Sequence, residues 1–284
     1  MDKSTAIVLG VSMFFIMLGM GVSLVPADFK NILKYPKAVT VGLVNQLILL
    51  PIIGFTVTYF FPMQPEIAVG MMILASCPGG VTSNLICFLA KADLALSVSL
   101  TAISSLVSVF TIPLIMNFSI DYFMDESQSI QLDLLKTVGQ IGGIVIVPVI
   151  LGMVIRNYKP LLAKKANKPI KIFSILVLSL LIIGVVTKER ANITSYLQQC
   201  GIATIVLNIA TFAVGLFSAK LFGLNKKQSL AVSIESGIQN STLAMSIALV
   251  LLQKTSFAVA PSVYSLTMYM ISILIIFISN RKNN

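Results

Sequence analysis

Apolar residues run along this 284-residue chain in long blocks separated by short polar or charged stretches. A helix that crosses a hydrocarbon core of roughly 30 Å needs about 20 mostly apolar residues, and the blocks have that length. They predict nine spans, at about 5–24, 38–62, 66–90, 93–120, 131–155, 169–187, 198–221, 227–252 and 257–280. The alternation at every second residue that marks an outer-membrane barrel is not seen. The pattern therefore predicts an all-α polytopic membrane protein, a single transmembrane domain over residues 1–284 with no soluble domain. The longest polar stretch, Arg156–Lys171, reads as a basic linker. Only Lys3 precedes the first apolar block and no A-x-A site follows it, so the block reads as a span and not as a signal peptide.

Composition narrows the class. The chain is 57% hydrophobic and 11% charged, against about 25% charged for soluble domains. A net charge of +10 would point to nucleic acid in a soluble protein. In a membrane protein, basic loops instead mark the cytoplasmic face. With the N-terminus outside and the C-terminus inside, fifteen of the twenty basic residues fall on inner segments. Lys3, Lys136, Lys188, Arg190 and Lys254 fall outside, as does the acidic loop Asp121–Asp133. This predicts a multi-pass protein of the cytoplasmic membrane with no nucleic-acid partner. Cys77, Cys87 and Cys200 show no C-x-x-C spacing and the chain has no histidine. A zinc site, a histidine-based triad and a histidine proton relay are thereby excluded. With a single carboxylate placed inside the hydrocarbon region, a paired-aspartate enzyme is excluded too.

Two spans differ from the rest. At the midpoint of the third stands Pro78-Gly79-Gly80. Proline removes a helix donor and glycine is a poor helix former, so the helix should open at mid-membrane, where freed backbone must line a cavity or be buried in protein. The eighth carries the polar run Ser233–Thr242, with Gly237 and the intramembrane Glu235. An ionised residue at that depth is costly, and no Lys or Arg lies at a comparable depth to pair with it. A metal cation or a proton is the natural partner. The two spans lie five apart and so run in opposite directions, and two interrupted helices in inverted positions point to a transporter site at a repeat interface. Each break exposes the N-terminus of a second half-helix, which favours an anion, and freed carbonyls and side-chain oxygens, which suit a hard cation such as sodium. Ser97 and Thr101 share one helix face after the turn Lys91-Ala92-Asp93, and Gln46 is a polar residue inside the second span. Taken singly, such Ser and Thr residues mostly make interhelical hydrogen bonds.

At these residues the sequence resembles the bile acid:sodium symporter family. The resemblance starts at Gly19-Met20-Gly21-Val22-Ser23-Leu24 and is densest in Cys77-Pro78-Gly79-Gly80 with Ser83-Asn84, in Ala95-Leu96-Ser97-Val98, and in Glu235-Ser236-Gly237-Ile238-Gln239-Asn240-Ser241. It implies an inverted repeat in which two discontinuous helices cross within a core domain (about 38–120 and 198–280), beside a panel domain (about 5–24 and 131–187). It implies two co-transported sodium ions. One would be held by Ser83, Asn84, Ser97, Thr101 and Glu235, the other by Gln46, Glu235, Gln239 and the carbonyls of Ser236 and Ile238. The substrate would lie near Val81, Thr82, Asn240 and Ser241. Where relatives often have a hydroxyl residue directly after the glycine pair, this chain has Val81 before Thr82. The implied function is sodium-coupled symport of an organic anion, a bile-acid-like amphipath or a small carboxylate, by a monomer working through alternating access. The alternative is a proton-coupled or export carrier of a small acid such as pantoate or a keto acid.

Overall fold

The computed structural model describes residues 3–25, 28–29, 34–124 and 132–281. Lys30, Lys282 and residues 125–131 of the acidic loop lie outside the described residues. Every regular element among the described residues is helical. In chain order these are α1 (Lys3–Ser23), α2 (Pro36–Phe60), α3 (Pro65–Ser76), α4 (Val81–Leu89), α5 (Leu94–Phe123), α6 (Leu134–Tyr158), α7 (Pro160–Lys188), α8 (Ile193–Leu221), α9 (Lys226–Gly237), α10 (Ser241–Ser246) and α11 (Val259–Arg281). A wide π turn, Ile247–Leu251, follows α10, and a short 3-10 turn, Ser256–Ala258, leads into α11.

The protein is thus an all-helical polytopic membrane protein. Six described helices are long and apolar enough to cross a bilayer: α2, α5, α6, α7, α8, and α11 with its leading turn. The pair α3–α4, bent by 63° at its break, makes a seventh. Two of the nine sequence-read spans fall outside that count: α1, a continuous helix of 21 residues over Lys3–Ser23, and α9–α10, which carries the polar run around Glu235.

The stretch Arg156–Lys171 differs from the expected linker. Lys159 alone separates α6 from α7, and Pro160 opens α7 at a position that needs no amide hydrogen. The basic residues that follow form the first turns of α7. Elsewhere the ends follow local chemistry: Asp93 caps α5 by accepting from the Leu96 amide (3.1 Å), after a turn in which Lys91 takes a left-handed φ of 56°.

α1 lies on α6 and α7, while α8 packs on α9 and α11, and α3 sits among α2, α5 and α11. The α1–α6 contact is backbone to backbone: a Cβ on Gly21 would fall 2.1 Å from the Val149 carbonyl oxygen, and one on Gly152 would fall 2.3 Å from that of Leu18. No side chain fits that crossing.

Candidate functional site

The site is built from the two breaks. Pro78 disfavours helix at the residue before it, and Cys77 is extended, so α3 ends at Ser76. Extended Gly80 then leads into α4. On the opposite side α9 ends at Gly237, Ile238 is extended with its amide on the Ile234 carbonyl (2.9 Å), and Asn240 caps α10 by accepting from the Leu243 amide (3.0 Å). The breaks touch: the Asn240 amide donates to the Pro78 carbonyl at 2.9 Å.

Five side chains meet beside this crossing. Glu235 is 4% exposed. Ser97 Oγ donates to its Oε1, and Thr101 Oγ1 donates to its Oε2 at 2.8 Å. Asn84 Oδ1 lies 2.8 Å from Ser97 Oγ and 3.4 Å from Thr101 Oγ1. Ser83 Oγ is 3.5 Å from Thr101 Oγ1 and donates to the Gly80 carbonyl at 2.8 Å. A hydroxyl has one hydrogen to give. With those of Ser97 and Thr101 on Glu235 and that of Ser83 on Gly80, none remains for Asn84 Oδ1. The cluster therefore faces inward with more lone pairs than hydrogens around a buried carboxylate. Neutral oxygens with a single carboxylate suit a small hard cation. The described residues contain no group of three or more His, Cys, Asp or Glu side chains of the kind a transition metal would use.

A second polar group lies across the breaks. Gln46 projects from a π turn, Asn45–Leu49, inside α2, a distortion that recurs at functional sites. Its Nε2 donates to the Cys77 carbonyl (2.9 Å) and to Gln239 Oε1 (2.7 Å), and Gln239 Nε2 donates to the Ser236 carbonyl (2.8 Å). Gln46 Oε1 is buried without a partner. A buried acceptor left unpaired costs about 1–3 kcal/mol, and a cation would satisfy it. Each oxygen of Glu235 accepts one hydroxyl of the first group, which leaves a further lone pair on each.

Val81, Thr82, Asn240 and Ser241 all line one cavity. Its opposite wall is Ile16, Met17, Gly19 and Met20 of α1 with Ile170, Ser174, Ile175 and Leu178 of α7, and Met268 and Tyr269 of α11 close a third side. Among the described residues, none that lines the cavity is charged. Ser241 Oγ is buried without a partner, and the first amides of α4 have no intrahelical acceptor.

The sequence matches the Sodium Bile acid symporter family over residues 10–196. The chain belongs to that family. Its members are transporters, not enzymes, and the family's sodium dependence fits the oxygen-rich surroundings of Glu235. Among relatives, the chain is 31% identical over 238 residues to the uncharacterized sodium-dependent transporter YocS of Bacillus subtilis, covering 82% of this chain and 71% of the relative. It is 28% identical over 244 residues to the human ileal sodium/bile acid cotransporter, covering 84% and 68%. It is 29% identical over 241 residues to a chloroplastic protein of Arabidopsis thaliana named as a probable sodium/metabolite cotransporter, BASS1. That match takes in 84% of this chain and 58% of the plant protein, so the chain spans little more than half of this relative.

Sequence reasoning missed three things here. The α1–α7 wall of the cavity gave no local signal, because it is ordinary apolar sequence. Tyr269, which lines the cavity together with Thr82, looked like one more aromatic in a span. Asn208 did carry a signal, as an amide in the middle of an apolar helix. It is fully buried and donates to the Gly237 carbonyl at 2.8 Å.

Proposed function

We propose that the protein is a sodium symporter of the cytoplasmic membrane, with its N-terminus outside and C-terminus inside, that carries an organic anion into the cell. The observation that carries this reading is the surplus of oxygen acceptors around buried Glu235, adjoining a cavity bounded by both breaks. In this reading one sodium ion takes Ser83, Asn84, Ser97, Thr101 and Glu235. A second takes Gln46, Glu235, Gln239 and the carbonyls of Ser236 and Ile238, and drawing it in turns Gln46 Oε1 from an orphan into a ligand.

The first ion ties α4, α5 and α9 together, and the second ties α2 to the α9–α10 break. Between them they fix the amide end of α4 and the Asn240 side chain, the two elements that receive the anion. Ion binding thus shapes the substrate site without touching the substrate. Neutral donors and a helix N-terminus hold the acidic group, while Met17, Met20, Ile175 and Met268 take the apolar body. This favours a monoanion with an apolar portion over a polyanion, for which the neutral side chains described around the cavity offer too little compensation. Alternating access follows from motion of α1, α6 and α7 as a panel against the remaining helices.

The test is binding in detergent with sodium and with choline, screened across organic acids of increasing apolar size. Sodium-dependent binding of monocarboxylates or sulfonates supports the reading. Equal binding in choline with a pH-dependent affinity would replace sodium with a proton at Glu235.

A further inference from the structure

Each broken pair is preceded in the chain by a long helix that sends an amide side chain into the break. α2 precedes α3, and Gln46 Nε2 donates to the Cys77 carbonyl. α8 precedes α9, and Asn208 Nδ2 donates to the Gly237 carbonyl at 2.8 Å. In both, the amide oxygen is buried without a partner. The second hydrogen separates them. That of Gln46 crosses to Gln239 Oε1 on the opposite break. That of Asn208 goes to the Tyr264 hydroxyl at 2.7 Å, which itself donates to the Gly237 carbonyl at 2.9 Å. Residues of α8, α9 and α11 thus close a ring around one carbonyl.

Gly237 is the last residue of α9, two positions after Glu235. Its carbonyl has lost its intrahelical partner, and Asn208 and Tyr264 fill both lone pairs. The same end of α9 is pressed against α8. A Cβ on Gly237 would lie 2.3 Å from the Phe212 ring, and Ser233 Oγ donates to the Phe212 carbonyl at 2.7 Å. Asn208 and Phe212 are four apart and share a face of α8, so the hydrogen-bonded ring and the tight contact act together.

We infer that Asn208, with Tyr264, is a positioning residue for sodium binding: it fixes the carbonyl end of α9 and through it the aim of the Glu235 carboxylate. The inference rests on the sodium reading of Glu235. It assigns the two amides opposite duties. Gln46, strung between the two breaks, rearranges when an ion arrives, whereas Asn208, tied into a closed ring, stays put and supplies the reference frame.

The experiment is sodium titration of the purified protein by calorimetry, for wild type, Asn208→Ala, Tyr264→Phe and the double variant. Anion affinity is measured separately at saturating sodium. Thr204→Val is the control, since the Thr204 hydroxyl bonds within its own helix to the Gly201 carbonyl. Loss of a buried hydrogen bond that leaves its partner unsatisfied predicts sodium affinity reduced about tenfold in Asn208→Ala and about threefold in Tyr264→Phe. Because the ring is one unit, the double variant should be no weaker than Asn208→Ala. Anion affinity should move by less than about twofold, and Thr204→Val should match wild type. Should Asn208→Ala not fold, the near-isosteric Tyr264→Phe decides alone. Unchanged sodium affinity in Tyr264→Phe, or sodium and anion affinities falling together, overturns the positioning role. A wild-type protein that binds no sodium instead overturns the assignment of Glu235, and is seen before any variant is compared.

Discussion

A methyl group on Gly79 would sit 2.6 Å from Oε2 of Glu235 and 3.0 Å from Oγ of Ser83. The backbone of one break is in this way the floor on which the carboxylate of the other rests. Gly80 is different, since a Cβ there would meet Asn240 Nδ2 at an ordinary 3.6 Å. Gly79→Ala is therefore expected to displace the Glu235 carboxylate and lower sodium affinity by at least about tenfold, and Gly80→Ala to change it by less than about threefold. Sodium titration of the two variants checks the contrast, and equal effects would refute it.

Glu235→Gln and Glu235→Ala should abolish sodium-driven uptake while leaving expression and thermal stability largely intact. Removing one member of a buried charge pair costs about 3–5 kcal/mol, which corresponds to a loss of roughly two to three and a half orders of magnitude in ion affinity. Near-normal sodium-dependent uptake by Glu235→Ala would remove the carboxylate from the mechanism.

Substrate and ion should separate at Thr82 and Asn240. Both side chains line the cavity, and neither bonds to Glu235 or Gln46. Thr82→Met and Asn240→Ala are expected to weaken anion binding at least about tenfold with sodium affinity within about threefold of wild type. Part of the Asn240→Ala effect is the lost α10 cap, worth about 1 kcal/mol. Calorimetry with each ligand in turn distinguishes the cases. A large loss of sodium affinity in Thr82→Met with anion binding intact would reverse the assignment.

Two sodium ions entering with one monovalent anion move one net positive charge inward per cycle. A charge crossing the membrane is worth about 2.3 kcal/mol per 100 mV, so tight coupling should raise accumulation by about fifty-fold at 100 mV, inside negative. Proteoliposomes with a fixed sodium gradient and a potential set by potassium and valinomycin measure this. Indifference to voltage would mean one sodium per anion and leave one oxygen group without an ion.

Much of the site was legible because its causes are local. Proline and glycine act on the backbone where they stand, so Pro78-Gly79-Gly80 and Gly237 announced the breaks, and Glu235 stood out as a carboxylate without a basic neighbour in an apolar chain. What stayed hidden depends on distant packing. The π turn at Gln46 has no residue that demands it, the α1–α7 wall is unremarkable apolar sequence, and the ring around Gly237 joins positions 208 and 264 that no spacing rule connects. The basic stretch after Tyr158 misled for a further reason. Its charges were read as marking an inner segment and a linker, but Lys and Ala are also good helix formers, and α7 begins there.

None of the residues in the two oxygen groups lies on α1 or α7, although those helices supply one whole wall of the cavity. The groups proposed to hold the ion and much of the surface proposed to meet the substrate are therefore written in different parts of the gene. On the proposed function, replacing Met17 or Ile175 should reshape what fits while the atoms around Glu235 keep their neighbours. A lineage can retune its diet on one set of helices and keep the same power supply on the other.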